Sequence, residues 1–441
     1  KELKGHVVAK EKVLAQVLHL TEWPLLTAAP FDEAFLKAPK EVLISEMVEH
    51  QKYFPVENGE GKLLNVFIIT ANNTPTDEVR RGNQKVLSAR LKDGVFLYEQ
   101  DLKVPLEAFN EKLKAVTFQK DLGSLWDKVE RLEKTASEVQ KRLALSTPEK
   151  VRQGARFAKS DLASQMIYEF PELQGVMARI YAEKAGLDPE VARSLDEHWM
   201  PRGENAPLPE TPTGIVLSLA EKIDNLASYW SVGLKPTSSS DPYALRRQVL
   251  GIIKIVIQHR LTLPLSEFFK NPEIVQFLEQ RIKTVFEDFG FHKDEIEASL
   301  SQGTNDIYDT YLRVEALHRR TQRGQGPDWD AQRGGGAKKE LDACEPRAQP
   351  AEHPAIKRSR APGAYIASDR RAYRLIAGLV HRMSIIGTCI HVYLYIAAAA
   401  RQSRDPAAIR SSPTPCASVE QIHARGCDVC GMNVNACSIW L

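Results

Sequence analysis

The chain has 441 residues, of which 43% are hydrophobic, 26% charged and 7% aromatic, with a formal net charge of +2. These values fit a soluble globular protein of several domains and exclude collagen-like, Gln/Asn-rich and purely coiled-coil chains. The charge is uneven: residues 321–441 hold 16 of the 59 basic side chains, 10 of the 57 acidic ones and all six cysteines, so residues 1–320 are mildly acidic and carry no disulfide or thiolate metal site.

A cysteine-free, mixed-charge body suits a reducing cytoplasm. The sequence opens on Lys1-Glu2-Leu3 without a Met or a signal peptide and reads as a fragment of a longer protein. Residues 6–30 read as a helix followed by a loop bounded by Trp23-Pro24 and Pro30. Residues 31–50 are expected to be helical, with Phe35, Leu36, Val42, Leu43 and Met47 turned inward. Leu63–Thr70 is a short β-branched run bounded by Gly61 and Asn72-Asn73, which predicts a strand. Asp77 is placed to cap a helix running to about Lys92, with a turn at Asp93-Gly94 and a second strand over Val95–Tyr98. Leu106, Phe109, Leu113 and Val116 share one helical face.

From Gly123 onward the spacing is helical. Leu125, Val129, Leu132, Ala136, Val139 and Leu143 step by four and three. Thr147-Pro148 reads as a cap followed by a first-turn proline. A proline-rich loop over 201–212 precedes a stripe of Ile215, Leu219, Ile223, Leu226 and Trp230. Asp241-Pro242 reads as a second cap-and-proline start, opening a helix through Val249, Ile252, Ile253 and Val256. Leu278, Ile282 and Phe286 mark a further helix. The fold class is therefore α+β: a mixed α/β region over 1–123, an all-α region over 124–320, and a tail over 321–441 that reads as irregular, disordered or non-native. In that tail, residues 383–400 are free of formal charge, but Ser384, Thr388, His391, Tyr393 and Tyr395 argue against a membrane span. Cys427, Cys430, Cys437 and His423 offer four ligands, in a spacing too compressed for a usual zinc site. No metal site is expected.

Several constellations bear on function. A nucleophile elbow, a His-Glu-x-x-His helix, a phosphate-cradling loop and a dinucleotide fingerprint are all absent from the sequence, so no catalytic residue is assigned to this chain. His50–Pro55 sets Lys52 beside Tyr53 and Phe54, a pattern that can stack a base or simply fill a core. Arg80, Arg81, Lys85 and Arg90 cluster on one predicted helix, and Arg246 and Arg247 extend from another. Such clusters can follow a phosphate backbone or serve as a solvated, ion-paired face. Lys159-Ser160-Asp161 and Glu221-Lys222-Ile223-Asp224 place carboxylates among helices as a metal-dependent phosphohydrolase would. That chemistry also needs imidazole ligands, and no His-Asp dipeptide occurs, so Asp161 and Asp224 are expected to be structural.

Six collinear segments carry a more specific signal: EVLISEMVEHQKYFP over 41–55, GNQKVLSARL over 82–91, FQKDLG over 118–123, EFPELQGVM over 169–177, LPETP over 208–212 and DPYALRR over 241–247. Over about residues 6–320 the chain resembles the β subunit of bacterial-type glycyl-tRNA synthetase. The resemblance implies a partial editing-like region, then a helical region similar to HD phosphohydrolases but without their metal ligands. It also implies that a large N-terminal part is missing, and that the tail stands in place of an anticodon-binding domain. By the same resemblance the partners are tRNA(Gly) and a catalytic α subunit, separate or fused upstream. This chain then holds no cofactor, ATP and Mg²⁺ being used at that partner, and no membrane is involved. Arg80, Arg81, Lys85, Arg90, Arg246 and Arg247 are the candidate RNA or subunit contacts. Two rival readings stay open: an active HD-type phosphohydrolase, and an inactive gene fragment.

Overall fold

The computed structural model describes residues 5–237 and 239–322. The described residues other than Pro24–Leu26 cluster as one unit. The uncharged run at 383–400, the Cys427–Cys437 group and the rest of the tail from residue 323 lie outside the described residues. Among the described residues, no helix is long and apolar enough to cross a membrane.

The first part is mixed, as its two spacing patterns require. It runs β1 (His6–Val7), α1 (Lys10–Leu20), β2 (Leu25–Pro30), α2 (Lys40–Ser45), β3 (Phe54–Glu57), β4 (Leu63–Ala71), α3 (Asp77–Asp101), α4 (Leu106–Leu113), β5 (Thr117–Gln119) and β6 (Gly123–Ser124). Four strands form a sheet in the order β1-β3-β4-β2, and β5 and β6 form a separate ribbon. The register pairs Phe54 with Ile68 and Pro55 with Phe67, and slips before Glu57 meets Leu63.

Several expectations fail here. Residues 25–30 form strand β2 rather than a loop, because Pro30 sits at the strand end, where its missing N–H costs no ladder bond. The helix expected to stop at Lys92 continues to Asp101, and no strand forms at Val95–Tyr98. The reason is the stripe of Leu87, Leu91, Gly94, Tyr98 and Asp101, which keeps helical spacing straight through the Asp93-Gly94 pair and is buried throughout. Gly94 lies on that buried face and not at a turn: a Cβ there would make only ordinary contact, 3.4 Å from Val42 and 3.5 Å from the Glu46 carboxylate. The cap is Thr76, one residue before Asp77. Val116 lies past the end of α4 and is 39% exposed.

The helical part comprises α5 (Leu125–Leu143), α6 (Pro148–Phe157), α7 (Gln165–Glu169), α8 (Val176–Lys184), α9 (Pro189–Glu197), α10 (Pro212–Ser231), α11 (Leu245–Gln258), α12 (Leu265–Phe268), α13 (Pro272–Asp288), α14 (Lys293–Leu300) and α15 (Ile307–Gln322). Ser124 and Asp127 close a capping box at the start of α5, and Thr147 caps α6 with Pro148 in its first turn. One start differs from expectation. Helix α11 begins at Leu245, behind Ala244 in the left-handed region. Asp241 still serves it from upstream, accepting the N–H groups of Leu245 and Arg246 at 2.8 and 2.9 Å.

Two large cores organise the unit. One is built from α5, α6, α10, α11, α13 and α15. The other joins the sheet, α2, α3 and α4 to Phe157, Met166, Phe170, Met177, Tyr181 and Leu195. Helices α7 to α9 thus pack with the mixed region, so the division between cores does not fall at residue 123. Asp101 helps fasten them: its carboxylate accepts from Gln165 N, Met166 N and the Tyr181 hydroxyl at 3.0, 2.8 and 2.9 Å. Helix α10 runs through the middle, with 17 of its 20 residues buried.

Candidate nucleic-acid interface

Helix α3 buries one side and presents the opposite one. Arg81, Lys85, Ala89, Lys92 and Phe96 fall at i, i+4, i+8, i+11 and i+15, a single outward stripe. Arg81, Lys85 and Lys92 are exposed, and Phe96 is 56% exposed. Arg81 is tied locally to Glu78 at 3.0 Å, and Arg80 to Asp77. Surface pairs of this kind contribute little to stability and exchange readily for a phosphate. Lys85 and Lys92 have no ion-pair partner among the described residues. Arg90 is exposed on another side of the helix, where its charge acts on Glu46. Burial pushes Glu46 up to about 7, against the pull of Arg90. The four predicted cations on α3 therefore do not form one patch. Arg81 and Lys85 belong together, and Lys92 and Phe96, which the sequence reading passed over, extend them. The signal for both was present in the 3.6-residue spacing once the helix is continued past Gly94.

Other residues of the same segments have structural duties. Tyr53 and Phe54 are both 6% exposed, so neither offers a face for a base. The Tyr53 hydroxyl donates to Asn83 at 2.6 Å, and Gln84 donates to the Pro30 carbonyl at 2.8 Å. Arg246 is half-buried and folds back on Asp241 at 3.7 Å and on the Thr237 carbonyl. Arg247 is exposed at the start of α11.

The carboxylates that suggested a phosphohydrolase are engaged elsewhere. Glu221, Asp224, Asn225 and Ser228 recur at i, i+3, i+4 and i+7, a polar stripe on an otherwise apolar α10. Lys128 from α5 is fully buried against it, donating to Asp224 and Asn225 at 2.7 Å each and lying 3.2 Å from Glu221. Lys159 donates to the second Glu221 oxygen at 3.1 Å, lies 3.0 Å from His198 Nε2, and sits 3.6 Å over the Trp199 ring. Burial opposes ionisation of Glu221, but Lys128 and Lys159 outweigh it and hold the carboxyl well below its ordinary range. Burial, then the Lys159 charge, pushes His198 well down, so its ring is neutral. Asp161 accepts the N–H groups of Gly175 and Ala178 at 2.6 and 3.3 Å.

Two ammonium groups thus neutralise these carboxylates and occupy the positions that metal ligation by them would need. Among the described residues, the one cluster with metal-ligand spacing lies elsewhere, at His292, Glu295 and His318. This geometry and the comparisons below leave the HD phosphohydrolase reading without support. The clue in the sequence was the polar stripe at 221–228 on an apolar helix. Lys128, on a different helix, was not legible as its partner.

A family model for the glycyl-tRNA synthetase beta subunit matches residues 1–301. The glycine–tRNA ligase beta subunit of Syntrophomonas wolfei is 42% identical over 336 residues, which is 72% of this chain and 49% of that protein. The corresponding subunits of Desulforamulus reducens and Clostridioides difficile are 42% and 40% identical, each aligned over about the same share of both chains. The chain spans about half the length of these curated relatives. With the family model covering over two thirds of its residues, this chain belongs to the glycyl-tRNA synthetase beta subunit family.

Proposed function

We propose that this chain is the tRNA-holding part of a two-component glycine–tRNA ligase. It docks tRNA(Gly) and a catalytic α subunit in the cytoplasm, and ATP, Mg²⁺ and glycine react at that partner. The observation that carries the reading is the family match over residues 1–301. A body whose inner carboxylates are neutralised by its own lysines supports it too, because such carboxylates are not free to hold catalytic metals. Folded RNA is recognised largely through phosphate and ribose contacts rather than a uniformly basic surface. The exposed Arg81–Lys85–Lys92 stripe with Phe96, and Arg247 on α11, suit that mode.

Glycine-dependent exchange of pyrophosphate into ATP tests the division of labour. The purified chain with glycine, ATP and Mg²⁺ is expected to give no exchange above the blank. Addition of the catalytic subunit brings both exchange and glycylation of tRNA(Gly). Exchange by the chain alone would overturn the proposal.

A further inference from the structure

The last two described helices bring His318 to a close pair, His292 and Glu295, that precedes it by more than 20 residues. His292 immediately precedes α14 and Glu295 lies in its first turn, three residues on. His318 is on α15. One donor atom from each lies within 4.8 Å of the other two. Glu295 is 1% exposed, and its oxygens are treated unequally. Oε2 accepts the backbone N–H of His292 at 3.0 Å and lies 2.9 Å from His318 Nδ1. Oε1 is buried without any hydrogen-bond partner. A buried carboxylate oxygen left unpaired is costly, and here the unpaired oxygen belongs to the same carboxylate that lies beside His318.

We propose that His292, Glu295 and His318 bind a divalent first-row transition-metal ion, of which Zn²⁺ is the plainest fit. Two imidazole nitrogens and one carboxylate oxygen match such ions, whereas Mg²⁺ and Ca²⁺ demand oxygen donors. The orphan Oε1 supplies the anionic ligand. The exposed His292 ring leaves the remaining coordination position open to water. The His318 ring is held edge-on by Phe291 at 5.3 Å, and its far nitrogen, Nε2, lies 2.7 Å from the Gln322 amide. That contact provides the outer partner a metal-binding histidine needs. On metal binding at Nδ1, the ring proton moves to Nε2 and the Gln322 amide turns its oxygen to accept it, so the ring stays neutral. The ion would clamp α14 to α15, where the described part of the chain ends.

The test uses the full chain, stripped with a chelator and titrated with Co²⁺ while visible absorption is read, then with Zn²⁺ by calorimetry. One equivalent is expected to bind with a ligand-field band characteristic of nitrogen and oxygen donors. His292→Ala, at an exposed position that leaves the core intact, should weaken that equivalent at least tenfold, and Glu295→Gln should do the same. Absence of saturable binding would overturn the proposal. So would binding unchanged by His292→Ala, or a spectrum owed wholly to thiolate charge transfer, which would assign the metal to the cysteines beyond residue 321.

Discussion

Lys128 illustrates how much one side chain can carry. Its ammonium is fully buried and shared among Asp224, Asn225 and Glu221. Removing one member of a buried charge network leaves the others uncompensated, typically at about 3–5 kcal/mol. Lys128→Met is expected to lower unfolding free energy by that order in urea denaturation, and a loss under about 1 kcal/mol would show that the network is not the constraint described. Asp161 gives a pH-dependent counterpart. Burial raises its pKa to about 6 from 3.8, despite the N–H groups and the Lys159 charge that oppose the shift. The folded state therefore binds the proton more tightly than the unfolded state, so stability falls as pH rises from 3.8 to about 6, and the cost is fully present at pH 7. Asp161→Asn keeps an acceptor for Gly175 and does not titrate. Relative to the parent chain it should gain about 2 kcal/mol between pH 4.5 and pH 7. A difference that does not change with pH would refute the assignment.

Among the elements, α3 holds the plainest lesson about what a sequence discloses. Its cations are visible in the sequence, though Arg90 turns to another side from Arg81 and Lys85, and its length is not, because Asp93-Gly94 is a strong local turn signal. The buried stripe of Leu87, Leu91 and Tyr98, which keeps helical spacing through Gly94, overrides that signal. Helices α5, α10 and α13 are legible from apolar spacing that repeats over several turns, and α6 from its Thr147-Pro148 start. The short strands β1, β2 and β3 were not, being only two to six residues each and stabilised by pairing partners distant in the chain. In the site, exposed cations were visible from composition, whereas the buried pairing of Lys128 with α10 depended on which helices meet. Gly82 supplies a test of α3 as a continuous helix. It sits in the first half of that helix, and a Cβ added there would meet nothing within 4 Å. Gly82→Ala should therefore stabilise the chain by about 0.5–1 kcal/mol, seen as a higher urea midpoint. Destabilisation would mean that the position is not an open helical site.

For the whole molecule, the account rests on a division between holding and reacting. On the function proposed above, the inner charges neutralise one another, while the outer cations face a partner with regularly spaced phosphates. Binding of that kind releases counterions and weakens with salt, by roughly 0.7–0.9 in log–log slope for each phosphate contact. The most direct measurement is therefore the affinity of the full chain for tRNA(Gly) across a salt series, alongside a variant carrying Arg81→Ala and Lys85→Ala. The account predicts binding whose slope is shallower by about 1.5 in the variant, with the fold intact. Failure of the parent chain to bind tRNA(Gly), or a slope that the two substitutions leave untouched, would contradict it.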